Sequence, residues 1–244
     1  MNETKCCLVI GAGDDTGGAV ARAFAAEGMT AILCRRPRHK DKLEALAASI
    51  RADGHHAHAM PVDARDEEAM IALVEQIETT IGPIEVAVFN IGANVRFPIT
   101  KTTARVYRKV WEMASFAGFL MGREVAARME PRQRGTIIFT GATASMRGAS
   151  GFSAFAGAKA ALRALAQSMA RELGPKNIHV AHTIIDGAID SNFIRDNVPG
   201  VDDLRTEDAI LDPKAIAAAY VMLHNQPRSA WTHELDLRPW KETW

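Results

Sequence analysis

Short apolar runs and longer stretches with apolar residues at every third or fourth position alternate along the whole chain. KCCLVI, TAILC, AHAMPV, IEVAVFN, GTIIFT and IHVAHTII are too short for helices and are closed by turn residues, so they read as strands. Between them, TGGAVARAFAAEG, HKDKLEALAASIRADG, DEEAMIALVEQIETTIG and two longer segments carry the helical period. The strand runs are apolar throughout, the mark of strands covered on both faces. Such βαβα alternation predicts an α/β fold: a doubly wound parallel sheet of about seven strands with helices on both sides. No linker, repeat or low-complexity segment interrupts it, so residues 1–244 read as a single domain. The least regular stretch is residues 191–212, SNFIRDNVPGVDDLRTEDAILD. It follows a strand, and the crevice beyond the carboxyl ends of the strands is where such sheets bind ligands, so it is expected to shape a substrate pocket.

Composition narrows the partners. Lys+Arg and Asp+Glu both number 29, so no basic excess points to nucleic acid or a membrane surface. No apolar run approaches the roughly 20 residues that span a bilayer. The N-terminus passes directly into an apolar strand, leaving no room for a signal peptide. Cys6, Cys7 and Cys34 form no CxxC and sit in apolar strands; they are expected to be buried thiols, which suits a cytoplasmic location. The HHAH cluster (His55, His56, His58) spans a turn into a strand with no carboxylate or cysteine nearby in sequence, so these read as surface histidines and no metal is expected.

The first strand leads into a glycine-rich turn and then a helix, LVIGAGDDTGGAVARAFAAEG. Gly11, Gly13 and Gly17, with Thr16, are placed to bend the backbone tightly and bring a pyrophosphate to a helix N-terminus. The second strand ends LCRRPRHK: Arg35 and Arg36, then Arg38 and Lys40, stand where an acid would grip the ribose of NAD. A guanidinium there favours a 2′-phosphate and hence NADP(H) over NAD(H); the plain alternative is a solvated basic face.

These segments, with VDA at 62–64, NIGA at 90–93, the Phe155/Lys159 spacing in GFSAFAGAK and IDGAIDS at 185–191, resemble the short-chain dehydrogenase/reductase family over essentially the whole chain. The resemblance implies that the glycine turn holds the pyrophosphate, that Asp63 bonds the adenine amino group, and that Asn90 supports the strand beside the cofactor. It assigns Gly92, Gly187, Ile189 and Ser191 to the same ligand, with Ser191 matching a threonine that meets the carboxamide. ELDLRPW matches the family's last strand, and the terminal Trp240 and Trp244 either pack on a second subunit or cover this subunit's own sheet. A small-molecule substrate and a homodimer or homotetramer are further implications.

The departures are as informative. Asp15, beside Asp14, replaces the usual middle glycine. A carboxylate about 6 Å from a phosphate costs roughly 1 kcal/mol in water and about 3 at an effective dielectric near 20. Alternatively the aspartates cap the first helix, stabilising it by about 1 kcal/mol. In the family a Ser, a Tyr, a Lys and an assisting Asn carry the chemistry. Lys159 is present, with a solvated surface lysine as the plain alternative, but Phe155 stands at the tyrosine position, Ala142 at the serine position (Thr143 if the register slips by one) and Ala114 at the asparagine position. Tyr107 and Tyr220 are not placed to approach Lys159 from their own segments. Thr143, Ser145 and Ser153 offer hydroxyls that are poor acids without activation. Asp186, where the family has proline, is either an Asp-Gly turn residue or a substitute acid, and Lys159 itself is a further candidate. The chain therefore reads as an oxidoreductase of a carbonyl or alcohol with a non-standard site, or as a nucleotide-binding pseudoenzyme, or as a structural oligomer whose site is empty.

Overall fold

The computed structural model describes residues 4–197 and 199–243; Trp244, one of the two terminal aromatics singled out above, lies outside them. Seven strands, β1 (Cys6–Ile10), β2 (Thr30–Cys34), β3 (Ala57–Ala59), β4 (Ile84–Phe89), β5 (Gly135–Thr140), β6 (Ile178–Ile185) and β7 (Glu234–Leu237), form one sheet in the order β3-β2-β1-β4-β5-β6-β7. Every neighbouring pair is parallel. The order reverses direction between β1 and β4, and it is there that a crevice opens.

Helices α1 (Thr16–Ala26), α2 (Lys40–Ala52) and α9 (Pro213–His224) cover one face. The other carries α3 (Glu67–Thr80), α5 (Ala117–Met129) and the long α6 (Ser153–Leu173). Alternation along β1 shows how the strands serve both: Cys6, Leu8 and Ile10 join the second core, Cys7 and Val9 the first. All three cysteines are buried and free, and burial raises the Cys6 thiol to about 11. Several helices begin on side chains that accept an otherwise unpaired backbone N–H. Asp66 accepts from Ala69 N–H, Asp212 from Lys214 N–H, and Thr103 from Val106 N–H at the head of α4 (Ala104–Trp111). A π-helical turn, Glu112–Phe116, joins α4 to α5.

Two expectations are adjusted. AHAMPV pairs as a strand only over Ala57–Ala59, because Pro61 has no N–H to extend the ladder. Residues 191–212 contain two short helices, α7 (Asn192–Asn197) and α8 (Val201–Thr206), and an isolated parallel bridge, Ile189 to Leu211, closes the excursion at its base. His56 and His58 are exposed.

Candidate functional site

The turn after β1 is built from backbone. Gly11 has φ +94°, and its N–H and that of Ala12 both donate to the carbonyl of Cys34. A Cβ on Gly17 would lie 2.4 Å from Gly11 O, so the head of α1 can sit against the turn only as glycine. Asn90 donates from its side chain to Gly11 O at 3.2 Å and from its backbone to Ile10 O at 2.8 Å. It thereby ties the end of β4 to that of β1.

Beyond this turn lies a cavity of about 940 Å³, with a side pocket of about 240 Å³ that shares Gly11, Gly13, Asn90, Ile91 and Gly92. Two chambers joined at a glycine turn suit a ligand with two ends bridged by a pyrophosphate. Arg35, Arg36 and Asp63 line the smaller chamber. Thr16, Gly17, Asp15, Gly187, Ile189 and Ser191 line the larger one together with Lys159, Phe155 and Ala142.

The smaller chamber is cationic. Arg35 Nη1 is buried without a hydrogen-bond partner, its nearest acid being Asp14 Oδ2 at 3.9 Å. Burial, then the charges of Arg38 and Arg65, holds Arg36 below the usual guanidinium value. Asp63 is not an open acceptor: Arg65 clasps it through Nε at 2.9 Å and Nη2 at 2.5 Å, and that bond holds its carboxyl below the usual range. Sequence reasoning missed Arg65, although the signal was present two residues after Asp63.

At the head of the larger chamber, Asp15 occupies the N-cap position of α1 but makes no capping bond. Its Oδ1 instead accepts the backbone N–H of Asn192 at 3.1 Å, fastening the start of α7 to the glycine turn. The capping reading is thus corrected for Asp15: the carboxylate is drawn outward by an amide from the segment over the cavity.

Lys159, on α6, is only 2% exposed. Its Nζ donates to the carbonyls of Thr140 at 2.7 Å and Ile91 at 2.9 Å, at the carboxyl ends of β5 and β4. The surface-lysine alternative is therefore wrong. Burial, with no carboxylate beside it among the described residues, lowers its pKa to about 7. The Phe155 ring, one turn earlier on α6, has its centroid 6.0 Å from Nζ. Ala114 is buried in the π-helical turn, in a small apolar cluster with Phe155, Val110, Ala154 and Ala158, and does not line the cavity.

Two of the three hydroxyl candidates are engaged elsewhere, while Ser153 Oγ is buried without a hydrogen-bond partner among the described residues and does not line the cavity. Thr143 borders the cavity, yet donates to Asp186 Oδ1 at 2.5 Å; Ser145 Oγ accepts the N–H of Ala142. Tyr220, on α9, is buried and hydrogen-bonded between Thr140 and Thr183, and Tyr107 is exposed against α6 near Gly157. Asp186, considered as a substitute acid, is 2% exposed and does not line the cavity. Its carboxylate takes Thr143, Arg147 at 3.5 Å and Arg238 at 3.5 Å, the arrangement of a structural anchor rather than of an acid facing a substrate. Nor is it a simple turn residue, because it joins the segments after β5, β6 and β7. Among the described residues no group of three or more His, Cys, Asp or Glu side chains is arranged to hold a metal ion, and no helix is long and apolar enough to cross a membrane.

Comparison with known proteins agrees with this architecture. A solved short-chain dehydrogenase from Rhodopseudomonas palustris is 49% identical, with a TM-score of 0.83 over 97% of this chain and 99% of that one. An actinorhodin polyketide ketoreductase solved with NADPH shares the fold, with a TM-score of 0.87, 20% identity, and coverage of 97% of this chain and 96% of its own. Among sequences, the 2,3-dihydro-2,3-dihydroxybenzoate dehydrogenase of Bacillus subtilis (strain 168) is 30% identical over 176 residues, 72% of this chain and 67% of the relative. The family of short chain dehydrogenases matches residues 5–200. With that match and the parallel seven-stranded sheet behind it, the chain belongs to the short-chain dehydrogenase/reductase family.

Proposed function

We propose that the chain binds a nicotinamide dinucleotide, NADP(H) in preference to NAD(H), and transfers hydride to or from a small carbonyl or alcohol with Lys159 in place of a phenolic acid. The observation that carries this reading is the buried Lys159 at the wall where the two strand ends meet the cavity, held by two backbone carbonyls and, among the described residues, no counter-ion. A lone buried ammonium costs several kcal/mol, an arrangement common at functional sites and rare elsewhere.

The residues present fit such a cofactor. The open glycine turn and the head of α1 suit a pyrophosphate, and Arg35 Nη1, which makes no hydrogen bond and only a long ion pair with Asp14, suits a ribose phosphate together with Arg36. When bound, the nicotinamide supplies or takes the hydride. In its ammonium form Lys159 has a third N–H beyond the two engaged by Ile91 and Thr140. That proton is available to the oxygen of a carbonyl as it becomes an alkoxide, and solvent returns it afterwards. Apolar Phe155 and Ala142 help keep water from the same wall.

The test is calorimetric titration with NADPH and with NADH. Tighter binding of NADPH, weakened in Arg35→Gln, is expected; failure of both nucleotides to bind at millimolar concentration would reject the proposal. A second reading, a nucleotide-binding pseudoenzyme, is favoured by one observation: Phe155 and Ala142 stand at the wall with Nζ, and the Thr143 hydroxyl that borders the cavity is bound to Asp186. NADPH binding without hydride transfer to any of a panel of aldehydes and ketones would select it.

A further inference from the structure

Past Lys159 the cavity is walled by apolar side chains, among them Val95, Phe152 and Ile194, and two cations border it, Arg96 and Arg147. They come from the segments after β4 and β5, which are joined by a hydrogen bond from Phe97 N–H to Gly151 O at 2.8 Å. The Arg96 guanidinium carbon lies 5.7 Å from the centroid of the Phe152 ring, so that ring flanks the charge. Among the described residues no carboxylate pairs with Arg96. Arg147 is partly committed, 3.5 Å from an Asp186 that also holds Arg238. Among the described residues the one acidic side chain lining the cavity is Asp15, at the glycine turn.

We propose that the cavity selects an organic anion, a carbonyl compound with an apolar body and a terminal carboxylate, seated with the carboxylate on Arg96 and Arg147. This rests on the cavity being the reaction chamber of the proposed oxidoreductase. A guanidinium fork bonds a carboxylate through two parallel N–H groups, and beside an aromatic wall the pair is less screened than in open water. A neutral ligand of the same shape leaves Arg96 with only solvent, and an amine meets two like charges. Arg96, which no described carboxylate offsets, supplies most of this discrimination. Arg147 adds less, since Asp186 offsets its charge.

The test uses the full chain and three probes of one body length: octanoate, octan-1-ol and octylamine, titrated by calorimetry at low salt, with and without NADPH. Octanoate is expected to bind at least about 10-fold more tightly than octan-1-ol, with the advantage shrinking as salt is added. Arg96→Gln is expected to remove about 10-fold of the octanoate affinity and leave octan-1-ol unchanged, with Arg96→Lys between. Equal affinity for octanoate and octan-1-ol, no octanoate binding, or octanoate affinity unaltered in Arg96→Gln would each overturn the proposal. Because the probes need no nucleotide, octanoate selectivity without NADPH binding rejects the oxidoreductase reading alone. NADPH binding without octanoate selectivity rejects the anion proposal alone.

Discussion

A lysine ammonium buried among carbonyls and a phenyl ring makes stability depend on pH in a predictable sense. Lys159 has a pKa of about 7 folded against 10.5 ordinarily, so between those values the unfolded chain binds more protons than the folded one. Stability contributed at this site therefore rises with pH across that window, and below pH 7 the burial cost is fully present. Lys159→Met removes the titration. The variant is expected to be more stable than the parent near pH 6.5, by an amount on the order of a few kcal/mol, with the gap narrowing toward pH 9.5. Paired denaturant melts across that range test this; a constant gap would mean that the lysine stays charged. The same group sets the expected pH profile of reduction. If its ammonium donates the proton, the rate falls as pH rises through about 7. Phe155→Tyr adds a phenol one helical turn from Lys159, and a gain of at least about 10-fold in reductase rate is expected, short of the roughly 10²–10⁴-fold that a fully positioned general acid contributes. A rate left unchanged would show that the alanines at 114 and 142 limit the chemistry instead.

Among elements, the glycine turn and α1 act as one piece. Gly17→Ala drives a methyl into Gly11 O, and an overpacking cost of about 1–3 kcal/mol with weakened dinucleotide binding is expected. Thermal melts together with NADPH titration check both effects. Most of this scale was legible in the sequence, since apolar runs of strand length and glycines at fixed spacing are local signals. Lys159 was legible for the same reason, as its separation from Phe155 is one helical turn. The orientation of Asp15 was not, because its partner Asn192 lies in a segment distant in sequence. The function of Asp186 as an anchor and the position of Arg96 at the cavity are likewise products of tertiary contact, whereas the clasp of Arg65 on Asp63 is local and was legible. Ala114 shows the limit from the other side: spacing located it near the chemistry, but the π-helical turn buries it behind Phe155.

At the scale of the molecule, α4 and α5 present an aromatic ladder. Trp111 stacks on Phe116 at 5.7 Å, Phe116 on Phe119 at 6.0 Å, and Trp111 and Phe119 are exposed. Apolar surface of that kind favours self-association. Sedimentation at micromolar concentration is expected to give a dimer or larger species, and Trp111→Glu with Phe119→Glu is expected to shift it toward monomer. A parent chain that sediments as a monomer would remove the oligomer expectation. Trp240, 72% exposed, donates its Nε1–H to Glu207 O, and Lys241 pairs with Glu207, so this tail rests on the segment after α8.

That tail also bears on how the protein is handled. Through Arg238 it reaches Asp186, and through Pro239 and Glu242 it lies against Gly187 at the cavity rim. Cys6, at the start of β1, sits at the opposite rim of the parallel sheet. A fluorescent label attached at Glu242 therefore sits beside the chamber whose binding is to be measured. One attached at Thr4, ahead of β1, is spaced from it by the length of a strand, and the two labels compared side by side form a control for every titration above.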